Sequence, residues 1–216
     1  MPTVKSQKRP YRSPKRAAQA AETREAILSA AHRLFLSEGW TNTTIAAIAA
    51  AAGVSNETVY GAFGSKKALL QELVSRTVRG SEPETPLTEQ QTVRSIEQER
   101  EQGRQIELFA EDITKVLARI APLLDAVRGA TGTDREITGL YAALHRGRRK
   151  NLEWFASALI RNGPLRENMD SEAAGTILWR LASPDLFLLM RRVEGATLRA
   201  CANWLAISLK LLLLEE

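Results

Sequence analysis

Three observations predict an all-α fold for this chain of 216 residues. Apolar residues recur three and four positions apart along most of its length, Ala, Leu, Arg and Glu fill those stretches, and strand-like alternation is scarce. With 44% hydrophobic, 25% charged and 6% aromatic residues, the composition is that of an ordinary globular protein, long enough for one large core or two modest ones.

Residues 1–21 carry Lys5, Lys8, Arg9, Arg12, Lys15 and Arg16 and no acid, while the whole chain has a formal charge of +5, so the remainder is slightly acidic. Pro2, Pro10 and Pro14 interrupt this segment, and it has too little apolar surface to fold alone, which predicts a disordered basic tail. No apolar run follows the charges, so it does not read as a secretory signal. A first helix is expected over 21–38, with Ile27, Ala30, Ala31, Leu34 and Phe35 inward, a stop at Gly39 and Trp40 covering the small core. His32 lies beside that stripe and reads as structural.

Thr43 or Thr44 can cap a second helix whose apolar face is Ile45, Ile48, Ala49 and Ala52. Gly53 supplies a sharp turn, Val54 plugs the angle, and Ser55 can accept from the amides that open a third helix with Val59 and Phe63 inward. Two short helices joined in this way form a helix-turn-helix, whose second helix lies in the major groove of DNA. Its outward residues are Asn56, Glu57, Thr58, Tyr60 and Gly61, where base and phosphate contacts fall. Asn can pair with adenine and Glu can accept from cytosine, although Glu57 can equally serve the helix dipole. Ser65 caps a fourth helix over 66–79, with Leu69, Leu70, Leu73 and Val74 inward.

From about Glu22 to Val74 these residues resemble the TetR/AcrR family of one-component transcriptional regulators, with Gly53, Val54, Ser55, Thr58, Tyr60, Phe63, Lys67 and Leu70 at the family's offsets. The resemblance implies a helix-turn-helix DNA-binding domain with a connecting helix over 22–80 and a helical ligand-binding and dimerisation domain over 81–216. It implies a cytoplasmic homodimer that represses from a palindromic operator in double-stranded DNA and is released by a small-molecule effector. Thr44, Tyr60 and Lys67 would contact phosphates, joined by Thr43, Ser55 and Lys66 near the same helix N-termini. Gly61 and Ala62 stand where many members carry larger residues, so this recognition helix is barer than usual.

Beyond the connector at 80–86, residues 90–105 are polar with Val93 and Ile96 as anchors. Helices are expected over 106–119, 121–128 and 134–161, the last stopped by Asn162-Gly163-Pro164. Asp170 or Ser171 caps a helix to Leu181, Ser183-Pro184 opens a turn of helix through Arg191, and a final helix spans 196–214. Phe109, Leu117, Tyr141, Leu144, His145, Trp154, Phe155, Leu178 and Trp179, with Phe187, can line an internal pocket for a largely apolar effector, and each can also be plain core. Tyr141 and His145, one turn apart, are the polar handles for orienting a ligand. Arg146, Arg148, Arg149 and Lys150 read as a solvated face. Surplus apolar residues (Trp179, Leu186, Leu189, Leu198, Leu205, Leu209, Leu212 and Leu213) predict that the helices from Ser171 and Ala196 pair with their twins in a four-helix dimer interface, with Trp204 at its centre or rim.

No metal-ligand spacing, nucleophile constellation or cofactor signature is visible, so no catalytic residue, metal or cofactor is assigned. Two alternatives stay open: an architectural DNA-binding protein driven by the basic tail, and a helical enzyme carrying a DNA-binding head. Cys201 is the single cysteine, which excludes an intramolecular disulfide and suits a reducing compartment. The run Leu205–Leu214 is broken by Ser208 and Lys210 and is too short to span a bilayer, so no membrane partner is expected.

Overall fold

A computed structural model describes residues 14–167 and 169–215, and helices are the only regular elements among them. The first thirteen residues of the basic segment lie outside the described residues. Helix α1 (Pro14–Asn42) begins earlier than the expected residue 21. Pro14 stands at its first turn and Ala17, Ala18, Gln19, Ala20 and Ala21 follow, so helix propensity alone extends it where no core contact does. Lys15 and Arg16 therefore sit on an exposed helical turn. At Gly39 the backbone turns out of the helix (φ 74°), as the sequence predicted, and Trp40 folds back to stack on Phe35 with ring centroids 5.4 Å apart.

Helices α2 (Ile45–Ala52), α3 (Asn56–Phe63) and α4 (Lys66–Arg79) follow with the expected bounds. Ile27, Ala31, Phe35, Ile48, Val59, Leu69 and Leu70 form their shared core, each at most 1% exposed. This core does not stop at the connector. It continues through Ile120, Leu123 and Val127 to Ile137 and Leu140, so the head and the body share one packed interior.

In the body, a short helix α5 (Gln91–Gln98) buries Val93 and Ile96 as expected. Helix α6 (Gln102–Arg128) is one element, not two, and runs through Pro122. Proline there removes one intrahelical bond, but Ile120, Ala121, Leu123, Leu124 and Val127 are buried around it and hold the helix together. Helix α7 (Arg135–Asn162) is capped by Asp134, and α8 (Ser171–Leu181) by Asp170, which accepts from Ala173 N at 2.8 Å. Helix α9 (Pro184–Leu188) continues into a π-helical turn at Leu189–Val193, and α10 (Leu198–Leu213) starts at the Thr197 cap, not at residue 196. Among the described residues no helix is long and apolar enough to cross a membrane.

The apolar residues of α10 divide differently from the expectation. Leu205, Leu209 and Leu213 lie in the protomer's second core with Phe109, Phe155 and Leu178, whereas Trp204, Ile207, Leu211 and Leu212 face outward. Trp179 likewise turns toward the protomer, against His145 and Arg148 of α7. The helix is apolar nearly all round, so its sequence did not identify which stripe the protomer consumes.

Candidate nucleic-acid interface

The helix pair is built by local hydrogen bonds that its residue types dictate. Thr44 is extended and its Oγ1 accepts from Ala47 N at 3.0 Å, capping α2. At the other end Gly53 is left-handed (φ 68°), and Val54 N and Gly53 N donate to Ala49 O (3.0 Å) and Ala50 O (3.2 Å). This bond pattern closes a helix only around a residue that tolerates positive φ, hence glycine. Ser55 Oγ accepts from Thr58 N at 3.2 Å, fixing the start of α3, and Ser65 Oγ accepts from Ala68 N at 3.0 Å at the start of α4. The C-terminal end of α3 is clamped by Arg24, which lies 4.2 Å over the Phe63 ring, donates to Ala62 O at 2.7 Å and pairs with Glu72.

Those clamps leave Asn56, Glu57, Thr58, Tyr60 and Gly61 outward, with Tyr60 53% exposed. The Glu57 carboxyl is held below its usual range by its own backbone N–H first and by the Ser55 hydroxyl second, which favours its reading as a helix-start anion. A Cβ added at Gly61 would meet nothing within 4 Å, so this stretch of α3 is open to close approach.

Two of the expected duplex contacts are turned inward. Thr43 is 1% exposed and its hydroxyl donates to Leu34 O (3.1 Å) and Gly39 O (2.8 Å), sealing the kink in α1. Lys66 Nζ donates to Trp40 O and Thr43 O, both at 2.8 Å, and sits 4.1 Å over the Trp40 ring. Burial pushes its ammonium below the ordinary value, partly opposed by Asp134. Both residues hold the corner between α1, α2 and α4. Neighbouring Lys67 remains half-exposed, 3.4 Å from Glu136 Oε1 at the start of α7.

The nine expected pocket residues do not converge on one cavity. Phe109 and Phe155 stack in parallel at 3.9 Å with Trp154 edge-on to both, and Leu178 is fully buried beside them. Leu117 belongs to a third cluster with Phe187, Met190 and Cys201, and Leu144 packs half-buried against the first core. Open surface depressions of about 610 and 510 Å³ lie beside the α7–α8 connection, lined instead by residues such as Ile160, Leu165, Thr176 and Arg180.

Tyr141, His145 and Trp179 do come together, with rings 4.5 Å and 6.4 Å apart, and they are joined by a residue the sequence reading assigned to solvent. Arg148 is folded under α8, its Nη1 donating to Trp179 O and Ala182 O at 2.9 Å each, and burial lowers its guanidinium to about 10. The signal that finds it is the spacing 141, 145, 148, one face of α7 shared with the two polar handles. Burial first and Arg148 second push His145 down, and burial pushes the Tyr141 phenol up. His145 Nε2, Arg148 Nε and Trp179 Nε1 are shielded from solvent without a hydrogen-bond partner among the described residues. Such groups cost roughly 1–3 kcal/mol each when left unmet.

Known proteins share both levels of this architecture. Residues 27–73 match the bacterial regulatory proteins of the tetR family. The HTH-type transcriptional repressor BepR of Brucella suis is 44% identical over 59 residues, which is 27% of this chain and 28% of that protein. The chain thus aligns with little more than a quarter of that curated relative. The whole fold is similar to SmeT, solved as a complex with triclosan (TM-score 0.67, 19% identity, 90% of this chain and 92% of that one). It is equally similar to NalD of Pseudomonas aeruginosa, the secondary repressor of the MexAB-OprM multidrug efflux pump (TM-score 0.66, 21% identity, 91% and 99%). The capped helix pair thus lies in a stretch that matches the tetR family of bacterial regulatory proteins in sequence, and the body shares the fold of SmeT and NalD.

Proposed function

We propose that the protein is a homodimeric transcriptional repressor that binds a palindromic operator through α3 and leaves it when a small molecule binds the body. The carrying observation is the outward face of α3, held rigidly by the Thr44, Ser55 and Ser65 caps with Asn56, Thr58, Tyr60 and Gly61 exposed. Asn56 and Thr58 are the base readers in this reading. Tyr60, Thr44 and Lys67 contact phosphates, which position the head without reading sequence. Two heads bind half-sites about 34–36 Å apart per helical turn, so a change in their separation weakens binding.

Release requires the body to move the head, and the shared core supplies a route. Arg119 of α6 donates from Nε to Thr77 O and from Nη2 to Val78 O, both at 3.1 Å, gripping the last turn of α4. The grip needs Gly80, whose φ is +67° and where a Cβ would lie 2.9 Å from the guanidinium carbon. A shift of α6 is thereby carried to α4 and to Lys67 at its opposite end. The fold match to SmeT, solved with triclosan, supports a ligand-responsive body.

Footprinting of the full chain on the DNA flanking its own gene tests the reading. Protection of a short two-fold symmetric site is the expected result, and unbroken coating along the fragment would replace it with architectural binding.

A further inference from the structure

The group formed by Tyr141, His145, Arg148 and Trp179 asks for a ligand of definite chemistry. Trp179 Nε1 and Arg148 Nε are donors only, and both are enclosed without an acceptor among the described residues, as is His145 Nε2. Arg148 is also a half-buried cation without an ion pair among the described residues. Its Nη1 is held by two neutral carbonyls, and Asp185, the carboxylate that acts on it, pairs with Arg128 at 3.4 Å. Because Nη1 is anchored at both acceptors, the guanidinium is fixed in orientation and keeps its remaining donors available. The walls are flat: the Tyr141 and His145 rings lie 4.5 Å apart, and the Trp179 indole packs 5.2 Å from the Arg148 guanidinium carbon.

Unmet donors around an unpaired cation select an oxygen anion, and the aromatic rings beside them select a flat apolar body behind it. We propose that this group binds a small aromatic carboxylate, the carboxylate taking hydrogen bonds from Arg148 and Trp179 and the ring lying against Tyr141 and His145. The assignment rests on the reading of the body as a ligand-binding module and narrows its ligand from a largely apolar effector to an aromatic acid. Since Tyr141 lies on α7, the helix that begins beside Lys67 and packs into the head's core, the site sits on an element that contacts the head.

Calorimetric titration of the full chain with benzoate and 1-naphthoate, against the neutral isostere benzamide, tests this. Either acid should bind with a dissociation constant below about 1 mM, and benzamide at least about tenfold more weakly. Trp179→Phe keeps the ring and deletes one donor, and should weaken the acid at least about tenfold. Arg148→Met should abolish binding, and circular dichroism keeps a misfolded variant from being counted. Absence of heat with both acids, or unchanged affinity in folded Trp179→Phe, overturns the proposal. Operator anisotropy in the same solutions separates the two readings: acid binding that leaves DNA affinity untouched upholds the site and removes ligand release instead.

Discussion

Replacing Ile207 and Leu211 with Glu should convert the protein to a folded monomer. In the isolated protomer these side chains are 59% and 57% exposed, one turn apart on α10 and flanked by Trp204 and Leu212. Fully burying an aliphatic side chain is worth about 1.5–3 kcal/mol, so covering the exposed part of each yields about 1–2 kcal/mol. A two-fold interface counts each residue twice, giving about 4–7 kcal/mol, or about three to five orders of magnitude in dimer dissociation, before any cost of burying the new carboxylates. Sedimentation velocity should show a monomer, and thermal melts should show a protomer that keeps its helix content. The contrasting change is Leu209→Ala: Leu209 is fully buried in the second core, and its truncation should cost about 2–5 kcal/mol of folding stability wherever the dimer forms. A Ile207→Glu/Leu211→Glu protein that stays dimeric with unchanged dissociation would refute the placement of the interface on this stripe.

Two further outcomes follow from the head. Gly61→Ala should raise Tm by about 2–4 °C, because the added methyl meets nothing in the protein and Ala favours the helix by about 1 kcal/mol. The same variant should lose operator affinity, and unchanged DNA binding would mean that the duplex does not approach α3 there. Glu136→Gln should tighten DNA binding up to about fivefold per protomer by freeing Lys67 from a surface ion pair worth at most about 1 kcal/mol. In a Lys67→Ala background it should do nothing, and an equal gain there would show that Glu136 acts by another route.

The head was legible in the sequence because its determinants are local. Thr44, Gly53, Ser55 and Ser65 bond to backbone groups three or four residues away, and the Ile48, Val59 and Phe63 stripes need only helical spacing. What failed depended on distant partners. Thr43 and Lys66 stand where a duplex contact is expected, but the kink at Gly39 and the Trp40 ring, more than twenty residues from Lys66, draw them inward. The break expected between 119 and 121 is absent, because buried residues on both sides carry α6 through. In α10 apolar residues occupy most of the helix surface, so periodicity cannot separate Leu205 and Leu209 from Ile207 and Leu211. Arg148 was hidden in a run of four basic residues, although its register with Tyr141 and His145 placed it on their face. The pocket was the least legible feature, since aromatic residues at helical spacing fill cores and line cavities alike, and here Phe109 and Phe155 stack on each other.

In the proposed repressor, the N-termini of α2 and α4 and the outward face of α3 hold a DNA backbone. Fluorescence anisotropy of the full chain with an operator duplex and a scrambled duplex across a salt series, for wild type and Lys67→Ala, tests it most directly. The variant should bind both duplexes more weakly, with the slope of log affinity against log salt reduced by about one per protomer. An unchanged salt slope on both duplexes would contradict the claim.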